Sequence, residues 1–134
     1  MILLRRGGKH ADRELEVCMV KRNPEARFMP GVWVFPGGAV DEADGAGDEG
    51  HRVAAARELA EEAGIEVEAG ELVAYSRWIT PKVVPIRFDT RFYLALAPAH
   101  SPPESDGSET VEAGWFAPKG ALEAHSNGEM ELVF

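Results

Sequence analysis

The tightest constraint on this chain is one run of ten residues. Ala54-Ala55-Ala56-Arg57-Glu58-Leu59-Ala60-Glu61-Glu62-Ala63 is built throughout from residues that favour a helix. Gly64 follows as a natural C-cap, and Asp48 upstream reads as the N-cap. A single strong helix in the middle of the chain must find something to pack on. Around it lie short apolar or alternating runs, which read as strands.

Residues 2–5 and 15–22 read as two strands, the second nearly continuous in apolar character, with a turn at Gly7 to Asp12 between them. Val32-Trp33-Val34-Phe35 is a short strand stopped by Pro36-Gly37-Gly38. Residues 71–79 and 87–97 read as strands closed by Thr80-Pro81 and Pro98, and Gly114 to Ala117 as another. Lys119 to His125 reads as a second helix, and Ser101 to Ser108 as a Pro- and acid-rich loop. Many strands around one helix point to an α+β sandwich with a mixed sheet, not a βαβ series. At 134 residues, with no repeat and no linker, the expectation is one domain spanning 1–134. The apolar end Leu132-Val133-Phe134 carries no break signal and suggests a longer natural protein, truncated here at its C-terminus.

Charge narrows the function. With 14 basic and 23 acidic residues the net charge is −9, which argues against binding nucleic acid through its phosphates. No apolar run is long enough to span a membrane, and Met1 to Arg6, apolar and then basic, is the reverse of a signal peptide. One cysteine, Cys18, precludes an internal disulfide and fits a cytoplasmic location; it reads as a small core residue. Eight of the 23 acids fall between Gly37 and Ile65: Asp41, Glu42, Asp44, Asp48, Glu49, Glu58, Glu61 and Glu62. Such a cluster is either a solvated face or a place that gathers divalent cations.

Helical spacing separates these readings. Side chains three or four apart share a face, so Glu58, Glu61 and Glu62 project together, with Arg57 beside Glu61 and with Ala55, Ala56, Leu59 and Ala63 opposite. Like charges at this spacing repel, and a hard dication such as Mg²⁺, which prefers oxygen ligands, offsets the repulsion. An exposed acidic face remains the alternative from the helix alone. Phe35-Pro36-Gly37-Gly38 tips the balance, because paired glycines after a strand let the backbone approach a ligand closely.

This order of features resembles the Nudix box, G-x5-E-x7-R-E-U-x-E-E-x-G-U with U apolar. Arg57-Glu58-Leu59-Ala60-Glu61-Glu62-Ala63-Gly64-Ile65 matches its second half in full, and Gly37-Gly38 matches its start. Five residues separate Gly38 from Asp44, which stands where the pattern has Glu, and twelve residues, in place of seven, separate it from Arg57. Counting back from Arg57 gives Glu49 instead, so either Asp44 or Glu49 takes that position. The lengthened box, together with Arg27-Phe28-Met29-Pro30-Gly31, Val34 to Asp41, Arg77 to Pro81 and Arg87 to Tyr93, is similar to the branch resembling the peroxisomal coenzyme A diphosphatases. The likeness runs over roughly residues 2–120.

The resemblance implies a Nudix-type α/β/α sandwich and a metal-dependent hydrolase acting on a diphosphate bond in a nucleoside diphosphate derivative. In such enzymes the helix glutamates hold Mg²⁺ or Mn²⁺ while water attacks phosphorus. Carried over, Glu58 and Glu62 are ligands, Glu61 is a further ligand or reaches the metal through water, and the Gly38 carbonyl completes the shell. Arg57 orients a carboxylate through a bidentate pair. The general base comes from Glu109 or Glu112, with Glu109 ahead; solvated loop acids are the alternative. Arg77, Arg87 and Arg91 are candidates for substrate phosphates. Alternation places Arg87, Asp89 and Arg91 on one face, either as a substrate wall or as a cross-strand ion network. Trp33, Trp78 and Phe88 either stack on a base or belong to the core. His10, His51, His100 and His125 are scattered and define no metal site.

Coenzyme A or an acyl-CoA is the substrate that the branch suggests. ADP-ribose, NADH and dinucleoside polyphosphates stay open. A non-catalytic nucleotide-binding module is the competing class, and a homodimer is kept open as an assembly. An isoprenoid diphosphate isomerase would want its cysteine in a cleft, whereas Cys18 falls on an expected core strand.

Overall fold

The computed structural model describes residues 1–7 and 14–133; Gly8 to Asp12 of the expected turn, His10 among them, lie outside it. Strands β1 (Ile2–Arg6), β2 (Leu15–Arg22) and β3 (Trp33–Val34) come first. A 3₁₀ turn at Glu42–Asp44 leads into helix α1 (Gly47–Ala63), and a second at Ala69–Glu71 leads into β4 (Val73–Ile79). β5 (Asp89–Leu96), β6 (Thr110–Phe116) and α2 (Pro118–Ser126) complete the order.

The six strands make one mixed sheet, ordered β3-β2-β1-β5-β4, with β6 also on β2. β1 and β5 are parallel, and the other strand pairs are antiparallel. β6 follows β2 from Val17 to Arg22, so β1 (at Leu15 to Val17) and β3 (at Val20 and Lys21) must share its other edge. The chain leaving β3 therefore emerges beside the start of β1, and Met1 N donates to the Pro36 carbonyl at 2.8 Å.

β2 is buried on both faces, which explains its unbroken run Val17-Cys18-Met19-Val20. Cys18 and Val20 pack with Leu3, Tyr93 and Ala95 under Leu59 and Ala63 of α1. Val17 and Met19 face the other way, toward Ala121, Met130, Trp33 and Phe116. Helices on both sides of a mixed sheet give the α+β sandwich expected from the sequence. Among the described residues no helix is long and apolar enough to cross a membrane. Gly64 caps α1 in the left-handed conformation (φ 67°), its N–H bonded to the Ala60 carbonyl.

Three local expectations are corrected. Ala46, not Asp48, is the N-cap of α1; Asp48 lies inside the first turn and accepts from Arg52 Nε and the Tyr93 hydroxyl. β6 begins at Thr110, four residues earlier than expected, because pairing with β2 outweighs the weak strand character of Thr110 to Ala113. Glu112 is thereby a strand residue paired with Lys21 at 3.0 Å, not a free loop acid.

Leu59 is fully buried between α1 and the sheet, on the helix that carries the acids. Leu59→Ala is expected to cost about 2–5 kcal/mol in urea denaturation at constant m-value, as for other buried leucines.

Candidate active site

The acids of α1 do not share one environment. Glu62 is buried at 5% exposure on the stripe formed by Gly50, Ala54, Leu59 and Ala63. Its carboxylate accepts the Gly37 N–H at 2.8 Å. Burial raises its pKa to about 7, with the charges of Glu58 and Glu109 adding to the effect. Burial also raises Glu58, against the pull of Arg57. Glu61, whose side chain is 58% exposed, turns outward to Arg57 at 3.2 Å.

The two-glycine turn is fitted to this pair. A Cβ on Gly38 would lie 2.6 Å from Cδ of Glu58, so a side chain there would push the carboxylate from its place. Gly37 meanwhile supplies the N–H to Glu62. Strand β3 and its Pro-Gly-Gly stop thus bring backbone against both glutamates.

Arg57 resolves which acid precedes it. Its Nε and Nη2 each donate to Asp44 at 2.9 Å, one to each oxygen, and Nη1 donates to Glu58 at 3.0 Å. Nη2 also donates to the Ala39 carbonyl at 3.1 Å. The Asp44 side chain is 3% exposed and also accepts its own loop's Asp41 N–H at 2.8 Å; the Arg57 fork holds its pKa below the usual value. Glu49 is exposed, so Asp44 is the acid that the arginine holds.

Glu109 stands just before β6, and its charge is felt by both Glu58 and Glu62. Thr110, missed in the sequence, and Asp106 place it there. The Thr110 hydroxyl donates to the Glu62 carbonyl at 3.1 Å, and Asp106 accepts the N–H groups of Ser108 and Thr110 at 2.8 and 3.0 Å. The loop is pinned to the end of α1. The Glu104 backbone N–H donates to the Ala63 carbonyl at 2.9 Å.

Beside the glycine turn opens a cleft of about 630 Å³. Arg22, Arg87, Arg91, Phe28, Phe88 and His51 line it. Arg91 Nη1 lies 3.8 Å from Asp48, and its Nε is buried with no hydrogen-bond partner among the described residues. Arg87 Nε donates to the Thr80 carbonyl at 3.1 Å. The Phe28 and Phe88 rings lie 5.7 Å apart, tilted by 52°. Arg77 is not part of the lining: Asp89 holds it through two hydrogen bonds of 2.7 and 2.6 Å. Arg22 was missed because it reads as the charged end of a strand. Counting in twos from Cys18 and Val20, which face α1, places it on the same side. Trp33 packs edge-on against Phe116 at 4.9 Å, and Trp78 stands at the sheet edge, so neither enters the cleft. Cys18 is buried, and burial pushes its thiol up to about 11.

Among the described residues no three or more His, Cys, Asp or Glu side chains stand as a group that could hold a metal ion. The donors nevertheless fit a hard dication that keeps several waters. One buried carboxylate, Glu62, and one partly buried, Glu58, both with raised pKa values, face each other's charge; a third acid is within electrostatic reach, and the Gly38 backbone lies against the Glu58 carboxylate.

The chain matches the NUDIX domain over residues 1–133 and belongs to that family. It is 30% identical to the putative nudix hydrolase 7 of Caenorhabditis elegans, a match covering 87% of this chain and 51% of the relative, so the chain spans about half of that protein's length. A Nudix hydrolase structure from Alicyclobacillus acidocaldarius superposes with a TM-score of 0.85 at 27% identity, covering 98% of this chain and 83% of that one. The NUDIX domain of Shewanella oneidensis NrtR, solved with ADP-ribose, gives 0.69 at 18% identity, covering 96% and 79%.

Two outcomes are expected. Gly38→Ala displaces Glu58 and weakens Mn²⁺ binding, measured calorimetrically, by about 10–100-fold, whereas Gly70→Ala, with open space at its Cβ, leaves it unchanged. The native state, with Glu62 raised from 4.5 to about 7, binds more protons than the unfolded chain in that interval. In EDTA, stability should therefore fall as pH rises from about 4.5 to about 7, and Glu62→Gln should flatten that slope in urea titrations.

Proposed function

We propose that this domain hydrolyses a diphosphate bond in a nucleoside diphosphate derivative, using Mg²⁺ or Mn²⁺. The observation that carries the reading is the seating of Glu58 and Glu62 against Gly37-Gly38 at the rim of an arginine-lined cleft. Glu58 and Glu62, with the Gly38 carbonyl, would hold the metal, and Glu61 would reach it through water. When bound, it would supply neutralisation of diphosphate charge and a lowered pKa for water. Glu109 accepts the proton of the water that attacks phosphorus; a new P–O bond forms as the anhydride P–O bond breaks. Arg57 is a positioning residue that fixes Glu58 and ties the loop of Asp44 to the helix.

Arg22, Arg87 and Arg91 hold substrate phosphates, and the exposed rings of Phe28 and Phe88 give a planar group a stacking surface. Arg77, occupied by Asp89, is left out of this set. A coenzyme A-type substrate is our first choice, on the lengthened box and its flanking phrases. The ADP-ribose bound by the Shewanella protein keeps that class second.

Incubation with Mg²⁺ or Mn²⁺ and a panel of CoA, ADP-ribose, NADH, diadenosine polyphosphates and nucleoside triphosphates is expected to release monophosphate products from one class. Folded protein that turns over none of them would refute the hydrolase reading in favour of a binding module. Glu62→Gln should lower kcat by orders of magnitude without unfolding. Glu109→Gln should lower it by about 10²–10⁴-fold, the usual contribution of a general base, while leaving Mn²⁺ affinity nearly intact.

A further inference from the structure

Two loops meet where β2 ends. Residues 23–31 leave it and carry Phe28 to the cleft, and the loop of Glu109 enters β6 alongside. The ladder between β2 and β6 breaks at this point. Lys21 opposes Glu112 but Arg22 opposes Thr110, so Val111 is left over as a bulge. Bulges recur beside active sites, where they re-aim side chains. Here the bulge turns Thr110 toward α1, the side taken by Ala113 and Trp115, and its hydroxyl reaches the Glu62 carbonyl.

Beyond the ladder Asn23 makes the connection. Its backbone N–H donates to the Glu109 carbonyl at 2.9 Å, and its side-chain amide donates to the Ser108 carbonyl at 2.7 Å. Its side-chain oxygen accepts the Glu25 N–H at 2.9 Å, and its own carbonyl accepts the Ala26 N–H at 2.9 Å. All four of its polar groups are used, two on each loop. Arg22 completes the arm, its Nε donating to the Phe28 carbonyl at 3.1 Å. Only one orientation of the Asn23 amide satisfies both Glu25 and Ser108. An aspartate would keep the acceptor and lose the donor, and an alanine would lose both.

We propose that Asn23 is a positioning residue that couples the Phe28 arm to the loop of Glu109. It rests on the hydrolase reading, in which Glu109 is the base. The loop is then held between the helix of Glu58 and Glu62, through Thr110, and the arm that meets the substrate, through Asn23. A planar group seated against Phe28 orders Glu109, so binding energy from a remote part of the substrate is expressed in kcat and not only in KM.

Kinetics on whichever panel substrate turns over give the first test. Asn23→Asp should lower kcat about 3–10-fold, the equivalent of one hydrogen bond, with KM nearly unchanged. Phe28→Ala should lower kcat and raise KM in the unaltered background, but only raise KM in Asn23→Asp; independent effects on kcat would overturn the coupling. Hydrogen exchange gives a second test that needs no turnover. ADP in EDTA should slow exchange of the Ser108 and Thr110 amides in the unaltered chain, and should fail to do so in Asn23→Asp and in Phe28→Ala. Phe28→Ala leaves the bonds of Asn23 in place, so the test survives a misfolded Asn23 variant. No response to ADP at millimolar concentration, or the same response in all three proteins, would overturn the proposal. If the panel yields no turnover, the hydrolase reading falls and the amide response alone decides the coupling.

Discussion

The site depends on one guanidinium group. Arg57 joins the 3₁₀ turn through Asp44, the glycine turn through the Ala39 carbonyl, and its own helix through Glu58 and Glu61. Without it the two carboxylates of α1 would face each other with no positive charge bonded to them. The fork has five N–H donors in one plane, which a lysine could not supply. Its strength comes from geometry: both Asp44 oxygens are met at 2.9 Å, and that carboxylate has been taken out of water.

Much of this was readable in the residues because it is local. The run from Arg57 to Gly64 encodes a helix, its cap and its acids within eight consecutive positions, and the unbroken apolar run of β2 encodes two buried faces. What could not be read depends on where distant segments land. Asp44 and Glu49 are equally good acids in sequence; only the position of Arg57 relative to the 3₁₀ turn separates them. Glu61 shares its helix with Glu58 and Glu62, yet a step of one residue carries Glu62 into the core and leaves Glu61 in solvent. Arg77 and Arg91 look alike on paired strands at Arg77↔Arg91, but Asp89 captures the first alone.

A buried carboxylate is costly unless something answers it. Glu62 is answered on one side by the Gly37 N–H, while its own carbonyl receives Thr110. Both partners come from strand ends, so the helix, the glycine turn and the loop of Glu109 are held to one another through a single residue. The electrostatic effects of Glu58 and Glu109 on Glu62 follow from that placement.

The segment between Gly38 and α1 has a consequence for how such a domain can diverge. Gly45 (φ 97°) and Gly47 (φ 66°) let the chain double back, and nothing lies within 4 Å of where their side chains would be. Extra residues there extend into open space, and the entropy cost of a longer loop rises only slowly with its length. Because the arginine fork fixes the loop at Asp44, residues can be added beyond it without moving the glutamates. A change of loop length there would reshape the surroundings of the cleft while Glu58 and Glu62 keep their seats against the glycine turn.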